Sequence, residues 1–502
     1  MDGGGEDLAR CDDLKLRTAR TIKWNVIDRV SSQVLYAVTG IVLARLLSQE
    51  DFGLVGAILV FQAFASLMVD SGFSYALLQR KSPTREDYSS VLWFNMAVAV
   101  GIYVALWFCA PLIARCFQGD MRLVPLSRVM FFTFILNASA IVQTNRLMKR
   151  MDVSMVAVSN VAGLAVGAVV GIWLAVAGYG AWAIVWQSVA LSGVKSGVLW
   201  ATSRWRPQMR CSWTSLRSFM GVGSGMMLSS FLNTLFQNIY SFFIGNRVGL
   251  VSLGYYTQSD KWSKMGISSL SQVLTSSFLP ALSAVQDDCD RFNRAARKMN
   301  RFTSYLLFPA VGILIVMAAD IFHLLFGTKW DASIVLFQLL LLRGVFTVLT
   351  SLYNNYVIAL GRSRLIVWLE LLRDGGAILA LVATLPYIGM ETPSDAVYGI
   401  KILLYGQLLA SAVTWLATLA VTVRVTGASV ASYIADCVPY VGFSLVSMAF
   451  VWLVRIPLPA VLSMALHFAG AAAIYIVLNR LAGSRIQKDA WEYVSARFRK
   501  KK

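Results

Sequence analysis

The sequence is poor in charged residues and contains almost no histidine. Only 14% of its 502 residues are charged and two are His, whereas a soluble domain has roughly 25% charged residues. His323 and His467 lie far apart, and the chain has no HExxH, GxSxG or Walker sequence. The sequence therefore predicts neither a soluble domain nor a metal, hydrolase or nucleotide site. We expect no cofactor apart from H+ or Na+ as a coupling ion.

Cysteine spacing and the start of the chain exclude two further classes. The six cysteines occur singly, without CxxC pairs, so the pattern predicts neither a zinc site nor a disulfide scaffold. The first twenty or so residues are polar and acidic, without a basic and then apolar signal-peptide pattern. The first hydrophobic segment is therefore predicted to remain as a membrane span.

Hydrophobic residues make up 57% of the chain, and the mean hydropathy is +0.63. A helix that crosses a bilayer needs about 20 mostly apolar residues. Fourteen stretches satisfy this length, and they leave little chain for a soluble catalytic domain. The predicted spans are 22–47, 53–78, 89–114, 124–144, 154–177, 180–202, 218–244, 252–282, 302–325, 332–360, 365–385, 396–423, 436–454 and 459–480. The sequence thus predicts an all-α polytopic membrane protein.

The connections between these spans differ in charge from one side to the other. Lys and Arg number 31 in the two tails and the connections on their side, against 5 on the opposite side. Because basic residues are retained in the cytoplasm, both termini are predicted to be cytoplasmic, including the N-tail 1–21 and the basic tail 481–502. The same bias explains the net charge of +19, and we expect no nucleic-acid partner.

Short matches indicate an internal repeat. ARLLSQEDFGLV after span 1 is similar to GNRVGLVSLGYY after span 7, with Arg45 matched to Arg247 and Gly53 to Gly254. Two units of six spans begin on the same side, as in transporters built from parallel repeats. We predict an N-lobe at 22–202, a cytoplasmic linker at 203–217 and a C-lobe at 218–423. Spans 13 and 14, at 424–480, form an additional C-terminal pair.

Charged residues inside spans are the candidates for function, because a charge at the bilayer centre costs about 2.5 to 3.5 kcal/mol. Arg343 and Arg373 lie deepest, and Arg343, Thr347, Thr350 and Asn354 share one helical face, as expected for a water-filled cavity. The alternatives are hydrogen bonding between helices and local ion pairs, Arg373 with Glu370 and Lys264 with Asp260. Lys195 is expected to extend to a headgroup layer.

Polar stripes on other spans extend this prediction to both lobes. The predicted cavity-lining residues are Arg343, Arg373, Lys261, Lys264, Arg29, Asn233, Gln237 and Asn354. Asp28 and Asp70, in spans 1 and 2, are candidates for proton or cation coupling, with simple pairing to Arg29 as the alternative. The segment RFNRAARKMNRF and the tail around Trp491 are predicted to be amphipathic helices on the cytoplasmic leaflet.

Several motifs together resemble one known family. VLARLLSQEDFGLVG, VDSGFSYALLQR, TREDYSSVLWFN, APLIARCF, GYGAWAIVWQ, LPALSAVQDD and LLFGTKW occur in order along the chain. They are similar to the polysaccharide transport family of the multidrug/oligosaccharidyl-lipid/polysaccharide exporter superfamily. The resemblance implies a two-lobed flippase in the bacterial inner membrane that moves undecaprenyl-diphosphate-linked oligosaccharide for lipopolysaccharide, capsule or exopolysaccharide synthesis. Polysaccharide polymerase machinery is the expected protein partner.

The physical character of the spans agrees with such a cargo. Basic residues outnumber acidic residues within the spans and give an excess of positive charge, and arginine suits phosphate through bidentate hydrogen bonds. Two alternatives stay open. One is a cation-coupled multidrug exporter of the same fold. The other is a membrane-embedded polysaccharide polymerase or ligase, for which the chain offers no large outer loop with catalytic residues.

Overall fold

The structure is a computed structural model that describes residues 3–488 except 71–72, 81, 204, 210, 390–396 and 455–458. This part of the chain forms α-helices, with two short 3-10 turns and no strand. The first helices are α1 Gly3–Leu46, α2 Gln49–Asp70, α3 Phe73–Gln79, α4 Arg85–Cys116, α5 Leu123–Phe131, α6 Thr133–Lys149, α7 Val153–Val176, α8 Trp182–Thr202 and α9 Trp213–Arg247. They are followed by α10 Leu250–Ser283, α11 Cys289–Val316, α12 Ala318–Leu325, α13 Asp331–Ala359, α14 Ser363–Thr384, α15 Tyr398–Thr426, α16 Val430–Leu453 and α17 Ala460–Leu481.

Every predicted span coincides with one helix or with two consecutive helices. Spans 2, 4 and 9 each correspond to a pair, α2 with α3, α5 with α6, and α11 with α12. Within the described residues, ten segments are long and apolar enough to cross a membrane. Large apolar side chains such as Trp173 and Trp368 remain 67% and 71% exposed, as expected of surfaces that face lipid. The prediction of an all-α polytopic membrane protein is confirmed.

The chain divides into two compact units, Met1–Gly254 and Tyr255–Lys502. The predicted linker, 203–217, covers the connection between α8 and α9 and the start of α9. The connection packs against α4. The Gln208 N–H donates to Ser89 Oγ at 3.0 Å, and the Trp93 indole N–H donates to the Gln208 carbonyl at 2.8 Å. Trp205 is buried beside Tyr88. Helix α9 also packs on α2, α3 and α4, and the first unit ends at Gly254, in the first turns of α10. The predicted lobe boundaries stay a prediction.

Two glycines allow the first turns of α2 and α10 to touch. A Cβ atom on Gly53 would lie 1.8 Å from the Leu250 carbonyl oxygen, and one on Gly254 would lie 1.9 Å from the Gln49 carbonyl oxygen. Such distances exclude any side chain at either position. The contact is reciprocal, because each glycine meets the residue four places before the other. Gly53 and Gly254 are also the residues matched in the predicted repeat.

The second unit has an aromatic core around α11. Phe292 and Ala296 are buried with Tyr353, Tyr356 and Tyr433, and the Tyr356 hydroxyl donates to the Ala296 carbonyl at 2.9 Å. The segment RFNRAARKMNRF therefore forms the first turns of α11 and buries its apolar face in protein. The prediction that it lies on the lipid surface is wrong, because hydrophobic periodicity does not distinguish a lipid neighbour from a protein neighbour. The predicted second amphipathic segment, around Trp491, lies outside the described residues.

Candidate functional site

Asp28 lies at the centre of a polar cluster in the first unit, between α1, α7 and α8. Its carboxylate accepts hydrogen bonds from Asn160 Nδ2 at 3.2 Å and from Ser32 Oγ at 3.3 Å. Lys195, half-buried on α8, interacts with Asp28 electrostatically. We call Asp28, Ser32, Asn160 and Lys195 the N-terminal cluster. One acid and one base make it electrically balanced.

A glycine stripe on α7 brings these groups together. A Cβ atom on Gly163 would lie 2.7 Å from the Leu191 carbonyl oxygen, and one on Gly167 would lie 2.9 Å from the Gln187 carbonyl oxygen. Small residues at four-residue spacing let two membrane helices approach closely. Lys195 on α8 therefore stands beside α7, one turn from Asn160. The predicted extension of Lys195 to a headgroup layer stays a prediction.

The other candidates in the first unit are placed differently. Arg29 is exposed on α1, so the alternative in which it pairs with Asp28 is not seen. The side chain of Asp70 lies outside the described residues. Asn233 and Gln237 are exposed on α9, where Gln237 Nε2 donates to Asn233 Oδ1 at 3.1 Å. These residues are polar surface of α9 and do not join the N-terminal cluster.

A second polar cluster lies in the second unit, where α10, α13 and α15 meet. Asp260 forms a short ion pair with Lys264, whose Nζ lies 2.6 Å from Oδ2. Arg343 Nη2 stands 3.9 Å from Asp260 Oδ1, and Arg343 Nη1 donates to Gln407 Oε1. We call Asp260, Lys264, Arg343 and Gln407 the C-terminal cluster. Two cations share one carboxylate, so the cluster carries an excess of positive charge.

Local features of α10 and α13 shape this cluster. The i, i+4 spacing of Asp260 and Lys264 produces their pair, as the local ion-pair alternative predicted. A Cβ atom on Gly344 would lie 2.5 Å from Ile267 Cδ1, so the glycine beside Arg343 lets α13 approach α10. Lys261 lies next along α10, with its Nζ 5.6 Å from the ring centroid of Trp262. It adds a further positive charge to this region.

Arg373 is neutralised by acids of its own helix. Its Nη2 lies 2.5 Å from Glu370 Oε2 and 3.0 Å from Asp374 Oδ1. Its side chain is 42% exposed, on a helix whose Trp368 and Leu371 are also exposed. The predicted local pair with Glu370 is confirmed. Arg373 therefore differs from Arg343, whose charge is only partly balanced.

The predicted polar face of α13 is only partly exposed. Asn354 is half-buried, and its side-chain oxygen has no hydrogen-bond partner among the described residues. Thr347 is exposed, but its hydroxyl donates to the Arg343 carbonyl at 3.2 Å. Asn160 and Gln407, which complete the two clusters, were not singled out in the sequence. Their position inside otherwise apolar spans was the only sequence signal for them.

Neither histidine belongs to these clusters. His323 Nε2 lies 2.7 Å from Asp331 Oδ1, and His467 Nε2 lies 2.7 Å from the Val454 carbonyl oxygen. Across the residues that the structure describes, no group of three His, Cys, Asp or Glu side chains could hold a metal ion.

Solved structures with the same arrangement of helices are transporters. The fold is similar to that of the lipid II flippase MurJ in an inward closed conformation, with a TM-score of 0.74, 11% identity, and coverage of 92% of this chain and 98% of that chain. It is also similar to a multidrug resistance MATE family transporter of the MOP superfamily, with a TM-score of 0.60, 16% identity, and coverage of 80% and 99%. At these identities the likeness establishes the fold class.

The family follows from the sequence match. Residues 42–335 match the family model described as polysaccharide biosynthesis protein, and the chain belongs to this family. The succinoglycan biosynthesis transport protein ExoT of Rhizobium meliloti (strain 1021) is 26% identical over 355 residues, 70% of this chain and 72% of that protein. The lipopolysaccharide biosynthesis protein WzxC of Escherichia coli (strain K12) is 24% identical over 338 residues, 66% and 68%. The predicted family resemblance is confirmed.

Proposed function

We propose that this protein is a flippase, and not an enzyme, that moves undecaprenyl-diphosphate-linked oligosaccharide across the bacterial inner membrane. The product serves lipopolysaccharide, capsule or exopolysaccharide synthesis. Membership of the polysaccharide biosynthesis family carries this proposal. Relatives named for the transport of succinoglycan and the biosynthesis of lipopolysaccharide support it. Polysaccharide polymerase machinery consumes the glycan on the outer face.

The proposed architecture has fourteen spans, with both termini in the cytoplasm. Ten spans are supported by length and apolar composition. The remaining four are α8, α9, α10 and α14, which are 21 to 35 residues long and coincide with predicted spans. The reciprocal contact of Gly53 and Gly254 supports two related six-helix lobes followed by a C-terminal pair, since a two-fold relation makes such contacts mutual.

The C-terminal cluster offers a binding site for the diphosphate of the cargo. A diphosphate and a glycan lose several kcal/mol per polar group if they are stripped of water without partners. Arg343 presents a planar guanidinium that forms bidentate hydrogen bonds with phosphate oxygens. Lys261 and Lys264 lie on the neighbouring helix. Arg373 is a second candidate, with Glu370 and Asp374 as competitors for its charge.

The N-terminal cluster is the proposed site of ion coupling. Asp28 combines a carboxylate with neutral hydrogen-bond donors, Asn160 and Ser32, and with one nearby base, Lys195. Such a carboxylate can exchange a proton or Na+ as the protein changes conformation. Asp70 is the second candidate for this role.

Reconstitution of the purified full-length protein tests the proposal directly. Proteoliposomes would carry undecaprenyl-diphosphate oligosaccharide with a fluorescent glycan, and a membrane-impermeant quencher would report the leaflet of the label. We expect the protein to equilibrate the label between leaflets faster than protein-free liposomes do. Equal rates with and without protein would reject the flippase function.

The shared fold keeps a multidrug exporter as the second candidate. Efflux of cationic dyes from cells that express the protein separates the two functions. We expect no efflux above that of cells with an empty vector, because the C-terminal cluster carries excess positive charge and repels cationic dyes.

A further inference from the structure

Helices α11, α16 and α17 of the second unit enclose two neighbouring cavities of opposite character. One has a volume of about 270 Å³ and is lined by Arg301, Asp436 and Arg485. The other has a volume of about 220 Å³ and is lined by apolar residues such as Phe468 and Ala472. Tyr305 lines the apolar cavity and Tyr440 the polar one, with ring centroids 5.9 Å apart. The two cavities therefore lie next to each other on either side of this tyrosine pair, and together we call them the crevice, with a polar and an apolar end.

The polar end is cationic, and two of its arginine side chains are held in place by Asp436. Asp436, 6% exposed, accepts both Nε and Nη2 of Arg297, at 2.8 and 3.0 Å, and Nε of Arg301 at 2.7 Å. This leaves the terminal nitrogens of Arg301 without a hydrogen bond in the described part of the chain. Arg485 enters from the end of α17 and is exposed. Three guanidinium groups against one carboxylate attract a phosphate group, and Asp436 fixes the orientation of two of them.

A buried acceptor lies at the same end. The side chain of Asn479 is fully buried and lines the polar cavity. Its amide nitrogen donates to the Tyr475 carbonyl at 2.9 Å, whereas its oxygen has no partner among the described residues. An unpaired buried acceptor costs free energy, and a ligand that carries a hydroxyl group beside its phosphate satisfies it.

The apolar end opens on the surface that faces lipid. Phe468 and Ile476 line the apolar cavity and remain 58% and 48% exposed. Within a bilayer, such a surface meets acyl chains. In the predicted topology the polar end of the crevice, with Arg301 and Arg485, lies on the cytoplasmic side, where anionic headgroups concentrate. A free phosphate ion would fill the polar cavity and leave the apolar one without an occupant.

We propose that this crevice binds one anionic phospholipid of the glycerol type. Its phosphate lies between Arg301 and Arg485, its headgroup hydroxyl reaches towards Asn479, and one acyl chain occupies the apolar cavity. The site is separate from the C-terminal cluster that we assign to the cargo, and it does not depend on the flippase function. The bound lipid holds the C-terminal helix α17 against α11 and α16.

Native mass spectrometry of the delipidated full-length protein tests this site, with phosphatidylglycerol as probe and phosphatidylcholine of the same chains as reference. We expect one phosphatidylglycerol to bind at least about tenfold more tightly than phosphatidylcholine, which corresponds to about 1.4 kcal/mol. Arg485→Gln removes one phosphate contact and should abolish this preference. Arg480→Gln changes an exposed arginine of the same helix that does not line the crevice, and should retain it. Equal binding by wild type and Arg485→Gln would overturn the proposal.

A second variant tests the acyl end without changing charge. Ala472→Phe fills the apolar cavity and should weaken phosphatidylglycerol binding about tenfold, while its elution volume in size-exclusion chromatography stays that of the wild type. Unchanged binding by this variant, or displacement of the lipid by an equal concentration of glycerol phosphate, would show a site for soluble phosphate and reject a lipid. Displacement by equimolar undecaprenyl phosphate would assign the crevice to the carrier lipid instead, and also reject the proposal.

Discussion

The two polar clusters use similar residues but balance their charges differently. In the N-terminal cluster, one carboxylate faces neutral donors and one lysine, and the charges cancel. In the C-terminal cluster, Lys264 and Arg343 share Asp260, and positive charge remains. A balanced cluster can gain or lose a small cation at low cost, whereas a cationic cluster needs an anion from outside. Our proposal of ion coupling for one unit and of anionic cargo binding for the other rests on this difference.

The clusters also differ in how their helices approach. In the first unit, Gly163 and Gly167 of α7 pack against backbone carbonyls of α8, which cannot move aside. In the second unit, a Cβ atom on Gly344 of α13 would lie 2.5 Å from both Cγ1 and Cδ1 of Ile267, and a side chain can shift more easily than a backbone carbonyl. The geometry of the N-terminal cluster is therefore the more rigid of the two.

Removal of the unbalanced charge should have the largest effect. We expect Arg343→Ala to lower the translocation rate of lipid-linked oligosaccharide in proteoliposomes about 10- to 100-fold, because a charge-assisted hydrogen bond to the diphosphate contributes about 1.5 to 3 kcal/mol. Arg343→Lys should recover only part of the rate, because lysine lacks the forked geometry. Wild-type rates for Arg343→Ala at equal protein abundance would remove Arg343 from the site.

Loss of the carboxylate in the balanced cluster should affect coupling rather than binding. Asp28→Asn keeps the size and most hydrogen bonds of the side chain, but it cannot take up a proton and lacks the negative charge that attracts Na+. We expect the stimulation of translocation by an imposed ion gradient to disappear, while the rate without a gradient changes less than about threefold, an allowance of about 0.7 kcal/mol in barrier height. Asp70→Asn tests the second candidate in the same assay.

The matched control for this prediction is Asp320→Asn, which changes an exposed acid on α12 and should leave the stimulation intact. If the wild type responds to no imposed gradient, coupling is absent, and the protein is a downhill flippase driven by consumption of the glycan outside. That outcome would leave the role of Arg343 untouched.

The difference in rigidity predicts that a methyl group added at a glycine destabilises the first unit more than the second. Gly163→Ala forces α7 and α8 apart and should destabilise the detergent-solubilised protein by about 1 to 3 kcal/mol. Gly344→Ala should cost less than about 1.5 kcal/mol, because Ile267 can move. Thermal unfolding followed by tryptophan fluorescence measures both. Gly197→Ala on α8 is the control, since no atom lies within 4 Å of its added Cβ. A larger loss for Gly344→Ala than for Gly163→Ala would contradict the comparison.

Arg373 should give the smallest effect. Its pairs with Glu370 and Asp374 are partly exposed, and such pairs contribute roughly 0 to 1 kcal/mol to stability. We expect Arg373→Ala to shift the thermal midpoint little and to lower translocation less than Arg343→Ala does, since two acids already compete for its charge. A loss as large as that of Arg343→Ala, at normal abundance, would place Arg373 in the cargo path as well.

The sequence predicted those contacts of the candidate site whose two residues lie within about one helical turn of each other. The pairs Asp260 with Lys264 and Glu370 with Arg373 follow from i, i+4 and i, i+3 spacing, and both are present. Asp28 and Arg343 also have partners that are not local, because Asn160 and Gln407 belong to helices far along the chain. An amide side chain in an apolar span predicts only a hydrogen bond to some other helix, and it does not identify the partner.

By itself, the sequence determined the fold class, the positions of the helices and the family, because hydrophobic length is a property of short segments. It also determined that Gly53 and Gly254 are matched residues. Only the tertiary structure decided that each of these glycines packs against the helix of the other, that the apolar face of α11 is covered by protein, and that Asp436 joins Arg297 and Arg301. The physical reason is that many polar side chains in the spans have a similar free-energy cost in lipid. Helix packing decides which few of them come into contact.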